Sequence, residues 1–244
     1  MDYNLVRKKE VSSTNSYLSD MLKADAGTYD TVLTADFQTD GRGQGKHGWD
    51  SNRGENILLS WLIYPEFLSA SNQFQISKAV SLAICDHLGC YIGNTYIKWP
   101  NDILIGTRKI AGILIENSLV QDRIQRSIVG IGMNVNQHAF PDYPLKATSI
   151  FLETGREQDI EREFRKLIKA LYIRYWQLRD GRFEEIDRNY LELLFRYRQP
   201  SIFEASGKTF EGEIRGVNEF GQLNVAVKGK IRTYNFQEIK LVMH

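Results

Sequence analysis

Apolar residues along this chain recur at two spacings, and each spacing predicts its own kind of element. Steps of three or four mark helices. Tyr17, Leu18, Met21 and Leu22 follow such steps behind Ser12-Ser13-Thr14-Asn15, a run of N-cap formers. Ile76, Val80, Ala83, Ile84 and Leu88 form a second helical face, stopped by Gly89. Ile160, Phe164, Leu167, Leu171, Tyr175 and Leu178 form a third, ended by Asp180-Gly181, and a shorter helix is predicted over 183–195. Between them lie apolar runs, mostly β-branched, that read as strands at 31–37, 57–64, 96–99, 103–105, 110–116 and 124–131. The texture changes at Gln199-Pro200. Glycines at 207, 212, 216, 221 and 229 then punctuate short runs, and Leu223, Val225 and Val227 alternate with polar residues. The pattern predicts a main domain over 1–197 and a small β-barrel or β-sandwich module over 198–244, which has little core of its own and leans on its neighbour.

Composition narrows the classes. The 244 residues are 42% hydrophobic and 25% charged, an ordinary globular balance. A net charge of +1 provides no field to recruit nucleic acid or an anionic membrane, so any phosphate must be held by a local site. No apolar run is long enough to span a bilayer, and none near the N-terminus forms a signal peptide. Cys85 and Cys90 match neither a redox pair nor a metal knuckle and read as small core residues. His47, His87, His138 and His244 have no metal-ligand spacing, and no metal-ligating residue is assigned. A cytoplasmic protein is expected.

Three segments carry candidate chemistry. Gly41-Arg42-Gly43-Gln44-Gly45-Lys46-His47-Gly48-Trp49 sets flexible backbone among basic groups, which suits an anion-binding loop or a plain flexible hairpin. It satisfies G-x-G-x-x-G by letter, but a strand rather than a helix follows, so the dinucleotide fingerprint is rejected. The P-loop pattern fails as well, because Asp40 stands where its first glycine should be and His47 where Ser or Thr should be. In Lys98-Trp99-Pro100-Asn101-Asp102, Lys98 and Trp99 end a strand and Asn101-Asp102 form a turn. Beyond it Lys109 begins an apolar run that includes Gly112 and ends at Glu116, as a solvent-facing lysine or one facing an anion. In Gly130-Ile131-Gly132-Met133-Asn134-Val135-Asn136, two glycines let a ligand approach a strand, or mark a bulged edge strand. Asn134 and Asn136 share one face there, with donors and acceptors suited to a ribose or a purine edge.

Taken together, from Ser13-Thr14-Asn15 to Asn136, these motifs in this order resemble the catalytic domain of the biotin protein ligases. The C-terminal module resembles that family's small SH3-like β-barrel. The resemblance implies an α+β fold, a mixed β-sheet flanked by helices and related to the lipoate ligases. It implies two steps: biotin carboxylate attacks the α-phosphate of ATP, and a lysine of a biotin carboxyl carrier protein then takes biotin from biotinyl-5′-AMP. By the same resemblance Lys109 and Arg42 are the catalytic cations. Ser13, Thr14, Asn15, Gln38, Gly41, Arg42, Gly112, Gly130 and Gly132 hold biotin. Arg42, Gln44, Lys46, Trp49, Lys109 and Asn134 serve the nucleotide, Trp49 as an apolar cover. ATP, Mg²⁺ and biotin are implied, with a monomer or homodimer and no nucleic-acid or membrane partner.

Two positions depart from the family's pattern. Gln44 stands where the loop commonly has a second arginine, with Lys46 a candidate to compensate. Gln237-Glu238-Ile239 stands where Gly-Glu-Val is usual, which bears on the local turn. Only about ten residues precede Ser13, too few for the DNA-binding domain that some members carry, so no repressor role is expected. The competing readings are a lipoate ligase or lipoyl transferase of the same fold, a non-catalytic biotin sensor, and a carrier-protein-binding module.

Overall fold

The structure is a computed structural model that describes residues 3–24, 30–45 and 47–243. Its centre is a seven-stranded sheet in the order β1-β2-β3-β7-β6-β5-β4. The strands are β1 (Asn4–Lys8), β2 (Thr31–Ala35), β3 (Asn56–Ile63), β4 (Thr95–Lys98), β5 (Asp102–Ile105), β6 (Arg108–Val120) and β7 (Arg123–Asn134). β1 runs parallel to β2 and the other pairs are antiparallel, so the sheet is mixed. The helices are α1 (Thr14–Lys23), α2 (Phe74–Leu88), α3 (Ile150–Thr154), α4 (Ile160–Arg179) and α5 (Phe183–Leu193). No helix among the described residues is long and apolar enough to cross a membrane.

Strand alternation divides the sheet into two unlike faces. Ile57, Leu59, Trp61 and Ile63 of β3, Ala111 and Ile113 of β6 and Val129, Ile131 and Met133 of β7 join the main core, which α2, α4 and α5 complete. Residues of opposite parity face the other way. There Leu33, Leu62 and Ile128 meet Leu18 of α1 in a small second cluster. Beyond that cluster the second face holds Ser60, Gly112, Gly130, Gly132 and Asn134. Gly112 pairs directly with Gly132, and Gly130 with Leu114 and Ser60. Two facing glycines leave backbone bare where a side-chain layer would stand, so this face carries a trough.

The C-terminal residues form a five-stranded antiparallel sheet in the order β11-β10-β9-β8-β12. Its strands are β8 (Pro200–Ala205), β9 (Lys208–Val217), β10 (Leu223–Val227), β11 (Lys230–Tyr234) and β12 (Lys240–Leu241), and β11 and β12 leave it open at its edges. Phe203, Ile214, Leu223, Val225, Val227 and Ile239 are continuous with the main core. The module therefore does lean on its neighbour: Trp99 Nε1 donates to the carbonyl of Gly221 at 2.8 Å, and Phe236 packs on Trp99 and Phe74.

Two local expectations are corrected, and two elements are added. The turn after β4 occupies 99–101, and Asp102 is already in β5, paired with Lys98. Cys85 is buried as expected, but α2 stops before Gly89, which leaves Cys90 exposed beyond its end. The edge strand β1 and the short helix α3, capped by Ser149 and closed by left-handed Gly155, had not been anticipated.

One buried joint makes stability pH-dependent. Between α2 and α4, His87 Nε2 lies 3.0 Å from Tyr91 Oη and 3.4 Å from Glu163, whose side chain is fully buried. Burial pushes His87 down from its ordinary 6.5 to about 4, against the pull of Glu163. The unfolded chain then takes the proton more readily than the folded one. Stability is expected to hold above pH 6.5 and to fall as pH drops from 6.5 through 4, by up to about 3 kcal/mol. Urea midpoints measured from pH 7.5 to 5 should show this decline above the carboxylate range, and His87→Gln should flatten it.

Candidate active site

One end of the trough is built around the N-terminus of α1. Ser13 occupies the N-cap position, but its side chain makes no capping hydrogen bond. Gln38 takes that part: its Oε1 accepts from Thr14 N at 2.7 Å and from Thr14 Oγ1 at 3.0 Å. Asn15, one residue on, is buried over Gly130, where a Cβ would stand 3.1 Å from Asn15 Nδ2. Asn15 accepts from Ser60 Oγ at 2.5 Å and donates to Glu116 at 2.8 Å and to the Leu114 carbonyl at 3.3 Å. Glu116 also receives Arg42 in a forked pair at 2.8 and 3.4 Å. Thr14 with Gln38, and Asn15 with Ser60, Glu116 and Arg42, thus form a polar patch of two adjacent hydrogen-bonded groups. A cleft of about 270 Å³ opens beside it, lined by Ser16, Asp20, Lys23, Arg42, Glu116 and Arg126 among others.

The other end is charged. Lys109 Nζ lies 2.6 Å from Asp102 Oδ1, and Lys98 Nζ 3.2 Å from Asp102 Oδ2. Burial by itself would raise the Asp102 carboxyl, but the two ammonium groups hold it below its ordinary value. Two cations on one carboxylate leave a net positive charge at the site. A bulge between β5 and β6 opposes Leu104 to Lys109 and brings the lysine to the trough side. Its backbone is clamped by Lys146 and Thr148 at 2.8 Å each. Thr148 O also accepts from Asn134 Nδ2 at 2.9 Å, so 146–148 ties the lysine to the end of β7. Asn134 Oδ1 is buried without a hydrogen-bond partner, pointing to a donor still to be supplied.

The glycine-rich loop joins the two ends. Its stem is closed by Trp49 N donating to the Gly41 carbonyl and Gly43 N to that of His47, both at 2.8 Å. A Cβ on Gly41 would also meet Gln38 Nε2 at 3.0 Å. The Trp49 indole lies flat in the trough. A Cβ on Gly112 would be 2.9 Å from it, and one on Gly132 would clash with the ring, 2.6 Å from Nε1. Lys109 Nζ stands 5.4 Å from the ring centroid, and the indole Nε1 is a second buried group without a partner.

Most of the anticipated residues therefore meet on one sheet face, with three qualifications. Arg42 and Lys109, both expected at a phosphate, stand at opposite ends: Gly112, beside Lys109, and Glu116, which holds Arg42, are about 13 Å apart along β6. Asn136 is committed to Gln158, donating to its carbonyl at 2.8 Å and accepting from its N–H at 2.9 Å. Lys46 lies outside the described residues, while Gln44 is at the loop tip. Ser60, Asp102 and the 146–148 segment were missed. Only the serine interrupting the apolar run at 57–63 could have flagged the first.

The charged end holds one carboxylate, and no group of three His, Cys, Asp or Glu gathers among the described residues. Asp102 is already engaged by two lysines, so the donor set suits a metal that arrives with its own phosphate ligands rather than a resident one.

Known proteins share the sequence and the fold of this chain. The model of the biotin/lipoate A/B protein ligase family matches residues 8–134, just over half of the chain. The bifunctional ligase/repressor BirA of Bacillus spizizenii is 29% identical over 246 residues, covering 99% of this chain and 75% of that protein. The biotin–[acetyl-CoA-carboxylase] ligase of Paracoccus denitrificans is 30% identical over 222 residues, covering 87% of this chain and 91% of that one. The solved biotin protein ligase from Aquifex aeolicus in complex with biotin and ATP superposes with a TM-score of 0.82 at 26% identity over 99% of both chains. By matched sequence and by fold, the chain belongs to the biotin/lipoate A/B protein ligase family.

Proposed function

We propose that the protein is an ATP-dependent biotin protein ligase acting on a biotin carboxyl carrier protein. The observation that carries this is the polarity of the trough: the uncharged hydrogen-bonding groups of Thr14, Gln38, Asn15 and Ser60 at one end, bare glycine backbone under an indole in the middle, and a cation pair at the other end. Biotin has the same order, with a ureido ring, an apolar chain and a carboxylate. Lipoate offers an apolar dithiolane in place of the ureido group and would form no hydrogen bond with Thr14, Gln38 or Asn15 while covering their polar atoms, an unfavourable mismatch. The named relatives are biotin ligases, which weighs the same way.

In this reading Ser13, Thr14, Asn15 and Gln38 receive the ring, while Gly112, Gly130 and Gly132 admit the body of the ligand. Entry requires the Trp49 indole to rise from Gly112 and Gly132 and to settle again as a cover. A biotin carboxylate oxygen attacks the α-phosphorus of Mg-ATP, the bond to the pyrophosphate oxygen breaks, and pyrophosphate leaves with its metal. Lys109 neutralises charge on the α-phosphate as this proceeds. The unpaired Asn134 Oδ1 and Trp49 Nε1 provide an acceptor and a donor on the nucleotide side. Arg42 reaches the phosphate by leaving Glu116. In the second step a carrier lysine nitrogen attacks the acyl carbon, an amide forms, AMP departs and the amine loses a proton. We place the reaction in the cytoplasm, where free Cys85 and Cys90 stay reduced.

The test is incubation of purified protein with biotin, Mg-ATP and a carrier domain, with lipoate present as a competitor, read by mass spectrometry. A gain of one biotin on a single carrier lysine is expected. A gain of lipoate would transfer the protein to the sister activity. Biotin binding without any gain would leave a sensor.

A further inference from the structure

The two positions that depart from the resembled pattern, Gln44 and Gln237, are far apart in sequence, and the fold brings their surroundings together. Gln237 has φ +70°, the left-handed region that favours glycine. Its side-chain amide reaches the tip of the glycine-rich loop, where a Cβ on Gly45, itself at φ +68°, would stand 2.5 Å from Gln237 Nε2. The turn behind it is braced. Glu238 accepts from Asn235 N at 2.7 Å and Nδ2 at 3.1 Å, and Gln222 Nε2 donates to Asn235 Oδ1 at 2.7 Å. Phe236 anchors the same turn on Trp99 and Phe74, with ring centroids 5.4 and 6.2 Å apart. The backbone of Gln237 is thus fixed to the β4–β5 turn, and its amide is the part that projects to the loop.

A left-handed glutamine is less favourable than glycine at the same place. Local rules broken in this way mark function more often than fold. We propose that Gln237 is a positioning residue: its amide seats the loop tip at Gly45 and holds the loop, and with it Arg42 and Trp49, down on the trough. This rests on the ligase reading for what the loop covers, but not for the contact itself.

The experiment reads the loop without using catalysis. Arg42 and Lys46 are tryptic sites within it, and nicking of a transiently opened segment tracks the population of its open form. Gln237→Gly removes the amide and relieves the backbone. Nicking at 42 and 46 is expected to rise about threefold, as for loss of the amide's packing contact on Gly45, while Tm stays level or rises. Biotinyl-AMP made by the full chain should leak from the variant faster by a similar factor. Gly45→Ala should also speed nicking, and its added effect should shrink in the Gln237→Gly background, because the clash it introduces is with that amide. Unchanged nicking in Gln237→Gly would overturn the proposal. So would a drop in Tm with cleavage spread over the whole chain, since the residue would then be merely structural. Should the wild type transfer no biotin, the ligase reading would fail while the nicking comparison still decides the latch.

Discussion

Lys109→Ala is expected to slow biotinyl-AMP formation by about 10³-fold while weakening biotin binding by only about tenfold, the loss of one cation facing its carboxylate, because the lysine's charge matters most where charge develops. Single-turnover formation of the adenylate and calorimetric binding of biotin separate the two effects. Geometry supplies a second consequence. Asp102 would keep only Lys98, at 3.2 Å, as partner for a buried carboxylate, so a loss of roughly 1–2 kcal/mol in stability is expected as well. The double variant Lys109→Ala/Asp102→Asn distinguishes a lysine that acts on phosphate from one that merely neutralises Asp102. Restored stability with adenylation still lost supports the former. Restored adenylation would show that the lysine serves only the aspartate.

Gly132→Ala is expected to lower biotin transfer by about 100-fold with little change in Tm. The new Cβ would clash with the Trp49 indole, so the ring must shift out of the trough. Misplacing a closing element or a ligand by an ångström is enough for a loss of this size. The core side of β7 is untouched, since Ile131 and Met133 point the other way, and the fold has no reason to fail. Proteolysis at the loop should accelerate together with the loss. The same substitution at Gly130 meets the amide of Asn15, which the Ser60 and Glu116 contacts hold in place, and should instead weaken biotin binding. Equal kinetics for Gly132→Ala and wild type would mean that the trough is not where the substrate lies.

Much of the fold was legible because apolar periodicity and burial coincide. The helix over Ile160–Arg179 and the run at Asn56–Ile63 follow directly from their spacing. The site was legible in its glycines, which strand parity sends to one face once β6 and β7 pair. What stayed hidden depends on contacts across long separations. Gln38 caps α1 from 24 positions away, and Asn15 meets Glu116 across 101. Asp102 was assigned to a turn because an Asn-Asp pair after proline is a turn signal, whereas pairing with Lys98 and Gly112 draws it into a strand. The edge strand β1 has too few apolar residues to announce itself and forms because β2 offers it a ladder.

The pairing of Gly112 with Gly132 also sets where this chain can change length. Deleting or inserting one residue within either strand between its glycine and the hairpin tip would exchange the two faces of that strand. The glycines would then enter the core as holes, and Ile131 or Met133 would fill the trough. The β-bulge at Ser118/Leu119 already absorbs one irregularity, and it lies beyond the site, toward the exposed hairpin tip at Gln121–Asp122. A peptide tag or a fused reporter therefore belongs at that tip, where added length leaves strand parity at the trough unchanged.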